Sequence, residues 1–506
     1  MIDFIDAITN RITMYRLVLY YLGALAAAAF LLGLFKLVPV DPAALLWSTV
    51  LLTAACLLVN QLFAWVFRAV PNVESVYITA LILALIVDPV QPANLEGDGL
   101  LVAVAVWATA SKYMLSVRRR HVFNPAAFGV ALAGFAVDQP ASWWVSGVVP
   151  LLPLVLVGGL LVTRKLRRFD LVIVFALVNI AATLLTSAPA DYATQLEGTF
   201  LRSPFFFFAF VMLTEPLTAP QHKLWRLAYG ALVGFLASPN IAIAGFYFAP
   251  ETALLVGNLL TLAVSPAGRT TLTLERIEEA GKNVFDFVFR ADRRLAFAAG
   301  QYLEWTIPLR HPDDRGNRRY FTIASGPSEA EVRLGVKFYP GGSAFKRRLA
   351  ALRPGDTISA SQLAGSFTLP ARRATKIAFI AGGIGITPFR SMLVEELAAS
   401  GSLRPITILY GCNSAADIAY RDVLEAARER LGIPTHYVVM DGEGAEPGMS
   451  VGVIDADTIG THIPDYADRL FYISGPQPMV AAVRRILRGM GVPPWRIRTD
   501  FFPGLA

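Results

Sequence analysis

Lys376-Ile377-Ala378-Phe379-Ile380-Ala381-Gly382-Gly383-Ile384-Gly385-Ile386-Thr387-Pro388 decides how the C-terminal half of this 506-residue chain must fold. Residues 377–381 are continuously apolar, as a strand buried on both faces requires. The glycines that follow let backbone N–H groups approach a pyrophosphate closely. Pro388 suits the first turn of a helix expected over 388–399. Strand, glycine loop and helix in that order separate a dinucleotide cradle from a chance glycine-rich turn. Gly382, Gly383, Gly385, Thr387 and Pro388 are therefore candidate cofactor-binding residues.

Downstream, apolar runs at 405–410, 435–440 and 469–473 alternate with helical patterns, so residues 371–506 read as a parallel α/β nucleotide-binding domain. Gly411 closes the second run, where the adenine-side ribose of a dinucleotide sits. A 2′-phosphate wants Arg or Lys at that point and an acid rejects it. Asp417 leans towards NADH over NADPH, while Arg421 is ambiguous.

Upstream, Val284-Phe285-Asp286-Phe287-Val288-Phe289 and Tyr302-Leu303-Glu304-Trp305-Thr306-Ile307 alternate as strands, which suits a small antiparallel β-barrel over 270–370. Arg319-Tyr320-Phe321-Thr322 resembles the Arg-x-aromatic-Ser/Thr motif of the ferredoxin–NADP reductase superfamily. The resemblance implies an FAD-binding barrel. Arg319 would take the pyrophosphate with its planar fork. An aromatic of Tyr320-Phe321 would lie on the flavin ring, Phe321 sharing the strand face of Arg319. Thr322 would hydrogen-bond flavin N5, the atom that accepts hydride.

Gly341, Gly342 and Ser343 open a helix expected over 344–352 and form a second anion site. Lys337, at the end of the preceding strand, joins the cofactor-binding set. Ser474-Gly475-Pro476 resembles the Cys-Gly-Pro element that the same superfamily places beside the nicotinamide, with Ser474 in place of the thiol. Thr322 and Ser474 are thus the candidate catalytic residues, with Gly475 and Pro476 binding nicotinamide. The C-terminus ends Asp500-Phe501-Phe502-Pro503-Gly504-Leu505, where the family has a terminal aromatic; Phe502 is the candidate to shield the flavin. Hydride transfer needs no metal and no general acid, because the cofactors carry the chemistry.

The first 265 residues are of another kind. Mean hydropathy over the whole chain is +0.51. Only 28 charged residues fall in 1–265 against 55 in 266–506, with the break at Ser265-Pro266-Ala267-Gly268. Apolar stretches occur at 16–38, 43–67, 76–88, 99–115, 123–137, 147–163, 169–187, 204–215, 225–239 and 240–264, which reads as a multi-pass α-helical membrane domain of about ten spans. Alternate loops collect Arg11, Arg16, Arg68, Lys112, Arg118, Arg119, Arg120, Arg164, Lys165, Arg167, Arg168, Lys223 and Arg226. The others carry mainly Asp88, Glu96, Asp98, Asp138, Asp191 and Glu197. The positive-inside rule then puts the N-terminus and residue 265 in the cytoplasm of a cell (inner) membrane protein, where NAD(P)H is found. The net charge of +7 is spent on topology, and nucleic acid is not an expected partner. Cys56 and Cys412 lie far apart, with no CxxC, which excludes protein-ligated iron–sulfur clusters. The half holds only His121 and His222, which are not the paired helix histidines that haem needs.

Asp88-Pro89-Val90-Gln91-Pro92 after the third stretch is echoed by Glu215-Pro216-Leu217-Thr218-Ala219-Pro220 after the eighth. A repeat five spans later points to inverted five-helix repeats, whose interface usually holds the ligand. Lys112 with Phe123-Asn124-Pro125-Ala126, Phe207 to Pro216 and Arg226 to Leu232 resemble the D subunit of the Rnf complex and the B subunit of the sodium-pumping NADH:quinone reductase. That resemblance covers most of 15–265 and implies a flavin-holding membrane domain. The family's Ser-x-Ala-Thr site for covalent FMN has no counterpart in the short loop Asp138–Gly147. A non-covalent FMN or riboflavin, with Lys112 and Asn124 as candidate contacts, is the resulting expectation. The whole chain then reads as a membrane-bound NAD(P)H-oxidising flavoprotein that passes electrons from FAD to a flavin or quinone among membrane lipid, compatible with partner subunits. Its rivals are a redox-linked ion or flavin transporter and a membrane-anchored reductase with a soluble acceptor.

Overall fold

The computed structural model describes residues 9 and 12–502, except 68–72, 118–119, 266–267, 310–312, 314–315, 400–402 and 443; at Phe501 and Phe502 it describes the backbone alone. Arg11, Arg68, Arg118 and Arg119, which entered the topology argument, lie outside the described residues. The chain forms two compact units, Met1–Gly268 and Arg269–Ala506.

The first unit is helical. Its main elements are α1 (Met14–Leu34), α2 (Pro42–Val66), α3 (Val73–Ile86), α4 (Leu95–Met114), α5 (Pro125–Val137), α6 (Leu152–Leu166), α7 (Phe169–Leu185), α8 (Lys223–Leu236) and α9 (Pro250–Val264). Between α7 and α8, Phe205–Phe207 runs into a π-helical turn, Phe208–Met212. Among the described residues, Met14–Leu34, Pro42–Val66 and Val149–Leu166 are long and apolar enough to cross a membrane. Val73–Ile86, Pro125–Val137, Phe169–Leu185 and Pro250–Val264 are apolar but shorter. Each expected stretch therefore meets a helix, but among the described residues three combine spanning length with sufficient apolarity. The last is also shorter than expected over 240–264: Ala242–Ile243 and Phe246–Tyr247 pair as a hairpin, and the helix starts at Pro250, where the ring fixes a first-turn φ.

The packing repeats. α1 lies on α3 as α6 lies on segment 205–212, α2 on α4 as α7 on α8, and α4 on α5 as α8 on α9. α1 also meets α6, and α5 meets α9. Small residues permit the closest approaches. A Cβ at Gly234 would stand 2.6 Å from the Phe175 carbonyl oxygen, and one at Gly158 would collide with the Tyr21 ring. A local echo lies at the helix entries: hairpin Ser116–Val117/Arg120–His121 leads through Phe123-Asn124-Pro125 into α5, and hairpin 242–247 leads through Phe248-Ala249-Pro250 into α9.

In the second unit, β1 (Thr270–Gly281), β2 (Val284–Ala291), β3 (Tyr302–Thr306), β4 (Arg318–Thr322), β5 (Val332–Lys337) and β6 (Thr357–Ala364) form one antiparallel sheet in the order β4-β3-β6-β1-β2-β5. Just past β4, the Ala324 N–H donates to the Arg333 carbonyl of β5, so the two edges draw together around Phe287, Phe289, Trp305 and Leu334. Helix α10 (Ala344–Ala350) joins β5 to β6. The second sheet is parallel throughout: β7 (Ile377–Gly382), β8 (Ile406–Cys412), β9 (Thr435–Val439), β10 (Ser450–Val451), β11 (Leu470–Pro476) and β12 (Ile497–Phe502), in the order β10-β9-β8-β7-β11-β12. Helices α11 (Thr387–Ala398), α12 (Arg421–Leu431), α13 (Ala456–His462) and α14 (Gln477–Gly489) alternate with the strands, as parallel connections require. Strand β7 is central and buried along its whole length, which is why its sequence carries no alternation.

Candidate active site

The central strand delivers the glycine loop to the carboxyl edge of the parallel sheet. After Gly382 the chain makes a 3-10 turn over Gly383–Ile386 and enters α11 at Thr387, whose hydroxyl donates to the Ile384 carbonyl. Gly383 has φ 51° and nothing within 4 Å of where a Cβ would stand, so a side chain there would be strained and would fill the open space over the loop. The other glycines serve internal contact. A Cβ at Gly385 would collide with the Ser474 carbonyl, and one at Gly382 with Met479. Their absence lets the Ser474-Gly475-Pro476 end of β11 lie against the glycine loop. Gly411 pairs with Gly382 across the sheet and packs near Ile454.

On the barrel, β4 sorts its side chains by alternation. The Arg319 guanidinium lies 5.3 Å from the Phe345 ring and Phe321 lies 5.8 Å from it, so both face α10 and the Gly341-Gly342-Ser343 loop. Arg319 donates to the carbonyls of Gly316 and Arg318 and stands 3.6 Å from the Asp313 carboxylate. Gly341 has φ 75° with open space at its Cβ position, and Ser343 caps α10 by accepting from the Lys346 N–H. Tyr320 takes the other face: its hydroxyl donates to Glu304 at 2.8 Å and its ring meets Tyr302 edge-on. Phe321 shares the face of Arg319, and Tyr320 does not.

Thr322 ends β4 with 3% exposure, and Ser474 sits in β11 with none. Among the described residues both hydroxyl oxygens are buried without a hydrogen-bond partner, as are those of Ser146, Thr163 and Thr435 elsewhere in the chain. Leaving such a group unsatisfied costs roughly 1–3 kcal/mol. Two of them, at the positions that motif reasoning assigns to flavin N5 and nicotinamide, fit a site reserved for those groups. The residues present thus fit FAD at the Arg319–Thr322 strand and a nicotinamide dinucleotide at Gly383 and Ser474. β12 places the Phe502 backbone opposite Pro476, but its side chain lies outside the described residues.

Several expected contacts are spent elsewhere. The Lys337 ammonium forms a buried ion pair with Asp417 at 2.8 Å, tying the barrel to the α/β domain. Each is thus engaged by the other rather than left open at the cofactor positions that the sequence suggested. Arg421 pairs with Glu446 and lies over Tyr437. In the helical unit, Lys112 donates to the Ser75 carbonyl, the Ser75 hydroxyl and the Thr79 hydroxyl. Asn124 caps α5 through the Ala127 N–H, while its amide donates to Glu215 and its backbone N–H to Asn258. Both work as structural ties there.

Three residues escaped sequence reading. Tyr410 on β8, Tyr420 before α12 and Asp286 on β2 are buried polar side chains whose partners are distant in sequence. Burial pushes the Asp286 carboxyl above its ordinary range and both phenols well above theirs. Burial also pushes the Cys412 thiol up to about 11, which leaves it protonated and inert at neutral pH. An open cleft of about 510 Å³ beside the barrel, lined in part by Arg294, Phe297, Gln301 and Pro327, also had no sequence signal.

Comparison with known proteins covers this unit. Residues 271–368 match the oxidoreductase FAD-binding domain family, and residues 379–485 match the oxidoreductase NAD-binding domain family. A flavohemoprotein of Pseudomonas putida is 29% identical over 239 residues, 46% of this chain and 59% of that protein. The reductase component of propane 2-monooxygenase from Mycolicibacterium goodii is 30% identical over 250 residues, 48% of this chain and 66% of that protein. This chain thus spans less than two thirds of either relative. The FAD/NAD-binding domain of a Vibrio cholerae nitric oxide dioxygenase aligns over 47% of this chain and 99% of its own, with 22% identity and a TM-score of 0.41. The C-terminal unit of this chain is an FAD- and NAD-binding oxidoreductase module.

Proposed function

We propose that the chain oxidises NADH or NADPH at its C-terminal unit and delivers the electrons to an acceptor held by its helical unit, a quinone or a second flavin within a membrane. The observation that carries the first step is the pair of buried, partnerless hydroxyls, Thr322 and Ser474. When bound, FAD accepts the hydride and releases its electrons singly, as the dinucleotide alone cannot. Arg319 and the Gly341 turn hold the flavin nucleotide, and Gly383 keeps the dinucleotide backbone close to the sheet edge. Thr322 offers a hydrogen bond at the accepting nitrogen, and Ser474 orients the carboxamide. Arg319 and Gly383 set distance, and the two hydroxyls set orientation.

The second step is supported by the helical unit's composition, its apolar helices, its repeated packing and its resemblance to the Rnf and sodium-pumping reductase subunits. Those features favour five-helix inverted repeats in the cell membrane over a simple anchor, which would need one span. With Lys112 and Asn124 engaged internally, a flavin there would rest on other groups. The test is the flavin content of the full-length protein purified in detergent. Two flavins per chain, both released by acid, support a relay through the helical unit. One FAD that reduces a quinone analogue supports direct transfer, and one FAD inactive with quinones removes the membrane-acceptor reading.

Redox-linked ion movement is the second reading, favoured by Glu251. This carboxylate, 2% exposed, enters α9 and accepts a hydrogen bond from the Trp143 indole. Buried carboxylates within helical bundles of membranes usually mark ion paths. In proteoliposomes, NADH-driven charge movement abolished in Glu251→Gln with FAD reduction intact would support it; its absence in the unaltered protein would exclude it.

A further inference from the structure

The barrel and the α/β domain are joined by more than surface contact. Tyr420 sits before α12 at φ 57°, in the left-handed region that a tyrosine seldom adopts. Its backbone N–H donates to the Ala280 carbonyl of β1, and its hydroxyl donates to Asp286 on β2 at 2.8 Å. Asp286 is 2% exposed, and its other oxygen accepts from Arg333 on β5. A Cβ at Gly335 of β5 would collide with the Tyr420 hydroxyl, so the barrel leaves a notch for it. One residue earlier, the Ala419 N–H donates to the Tyr410 hydroxyl at 3.2 Å, and that hydroxyl donates to the Gly383 carbonyl at 3.0 Å. Tyr410 is wholly buried. An unbroken chain of hydrogen bonds and one peptide link therefore runs from barrel strands β2 and β5, through Asp286, Tyr420, Ala419 and Tyr410, to the glycine of the dinucleotide loop.

We infer that Tyr410 and Tyr420 are positioning residues that fix the height and lateral placement of the nicotinamide dinucleotide relative to FAD. The two links divide the task. Tyr410 holds the Gly383 carbonyl and so sets the loop that receives the pyrophosphate. Tyr420 holds the whole 415–420 segment to the barrel and so sets where that loop stands over the flavin. Neither touches a reacting atom. Because hydride transfer is steeply sensitive to approach distance, a small slip between the domains slows transfer without weakening dinucleotide binding. Loosening the loop itself weakens binding.

This rests on the reading that NAD(P)H reduces FAD in this unit, and the experiment separates the two. Anaerobic stopped-flow reduction of the FAD in the detergent-purified full-length protein is followed against dinucleotide concentration. If the unaltered protein is not reduced by NADH or NADPH, the functional reading fails. If it is, Tyr410→Phe should raise the apparent Kd for dinucleotide about fivefold to tenfold with the limiting rate within twofold, because a buried carbonyl loses its donor. Tyr420→Phe should leave that Kd unchanged and lower the limiting rate about tenfold. FAD content should stay at one per unit in both variants. Asp286→Asn keeps an oxygen to accept from Tyr420 while giving up the acceptor for Arg333, so it should hold the limiting rate near that of the unaltered protein even if it loses stability, whereas Asp286→Ala should mimic Tyr420→Phe. Should Tyr420→Phe fail to fold, the Asp286 pair carries the test. Equal changes in Kd and rate in both tyrosine variants, or none in either, would overturn the assignment.

Discussion

The two units treat their candidate ligand residues in opposite ways. In the reductase unit, Thr322 and Ser474 are buried with hydroxyls that find no partner, and Gly341 and Gly383 face open space. In the helical unit, Lys112 spends three hydrogen bonds on Ser75 and Thr79, and Asn124 spends its side chain on a helix cap and on Glu215. The two reductase residues came from four motifs in a fixed order, and the two helical ones from a single resemblance that also allowed a structural role. What separates them is satisfaction at a motif position: Thr322 and Ser474 are unpaired where a cofactor would complete them, whereas the unpaired hydroxyls of Ser146 and Thr163 in the helical unit lie outside its motifs.

The largest break in this contrast would come from Gly383→Val, which should retain FAD yet lower the rate of its reduction by NAD(P)H by of order 100-fold, since the branched side chain is strained at φ 51° and fills the cradle. Stopped-flow absorbance of the bound flavin measures it, and a normal rate would dissolve the dinucleotide site. Arg319→Ala should weaken FAD binding roughly 10- to 100-fold, the worth of charge-assisted hydrogen bonds to phosphate. Flavin retained through gel filtration at micromolar protein would count against it.

Next, Thr322→Val should slow reduction about tenfold and raise the thermal stability of the FAD-free protein, because without flavin it deletes an unpaired buried hydroxyl at nearly constant volume. Asn124→Ala should do the reverse: lose about 1 kcal/mol of stability with the loss of the α5 cap, and leave FAD reduction untouched. If both variants lost stability, the distinction between reserved and structural residues would not stand.

The smallest effect is pH-linked. Burial and the neighbouring His462, stacked at 4.3 Å, hold His436 below its usual range. A depressed histidine contributes stability that is present above its unfolded pKa, about 6.5, and is lost as pH falls through the folded value. The reductase unit should therefore soften below about pH 6.5, and His436→Gln should flatten that slope in melting curves taken from pH 7.5 to 5.

The fold of the second unit was legible because its signals are local. The apolar run 377–381 and the glycines after it fall where β7 and the loop lie, and Arg319 with Phe321 could be set on one strand face by counting two residues. Helix boundaries in the first unit followed from apolar length, but the hairpin at 242–247 was hidden because its residues are as apolar as a helix and only pairing tells them apart. The Lys337–Asp417 pair and the tyrosine links stayed invisible for a related reason. The Lys337–Asp417 and Tyr420–Asp286 partners lie 80 and 134 residues apart, and nothing local marks Tyr420 as a residue destined for left-handed backbone. The pairing of Asp417 with Lys337 was hidden on the same ground: its neighbour is chosen by the fold.

The glycine contacts of the helical unit bear on how such a unit would come apart. Gly234 against the Phe175 backbone and Gly158 against the Tyr21 ring join helices by fit of shape. In the membrane setting proposed for this unit, water exclusion would add nothing to that fit, and cohesion would come from contact alone. A unit built this way is indifferent to denaturants that act by solvating apolar groups and vulnerable to anything that acts as a wedge. One added methyl at Gly234, or a slender detergent chain entering the seam, opens a gap that no outside pressure closes again.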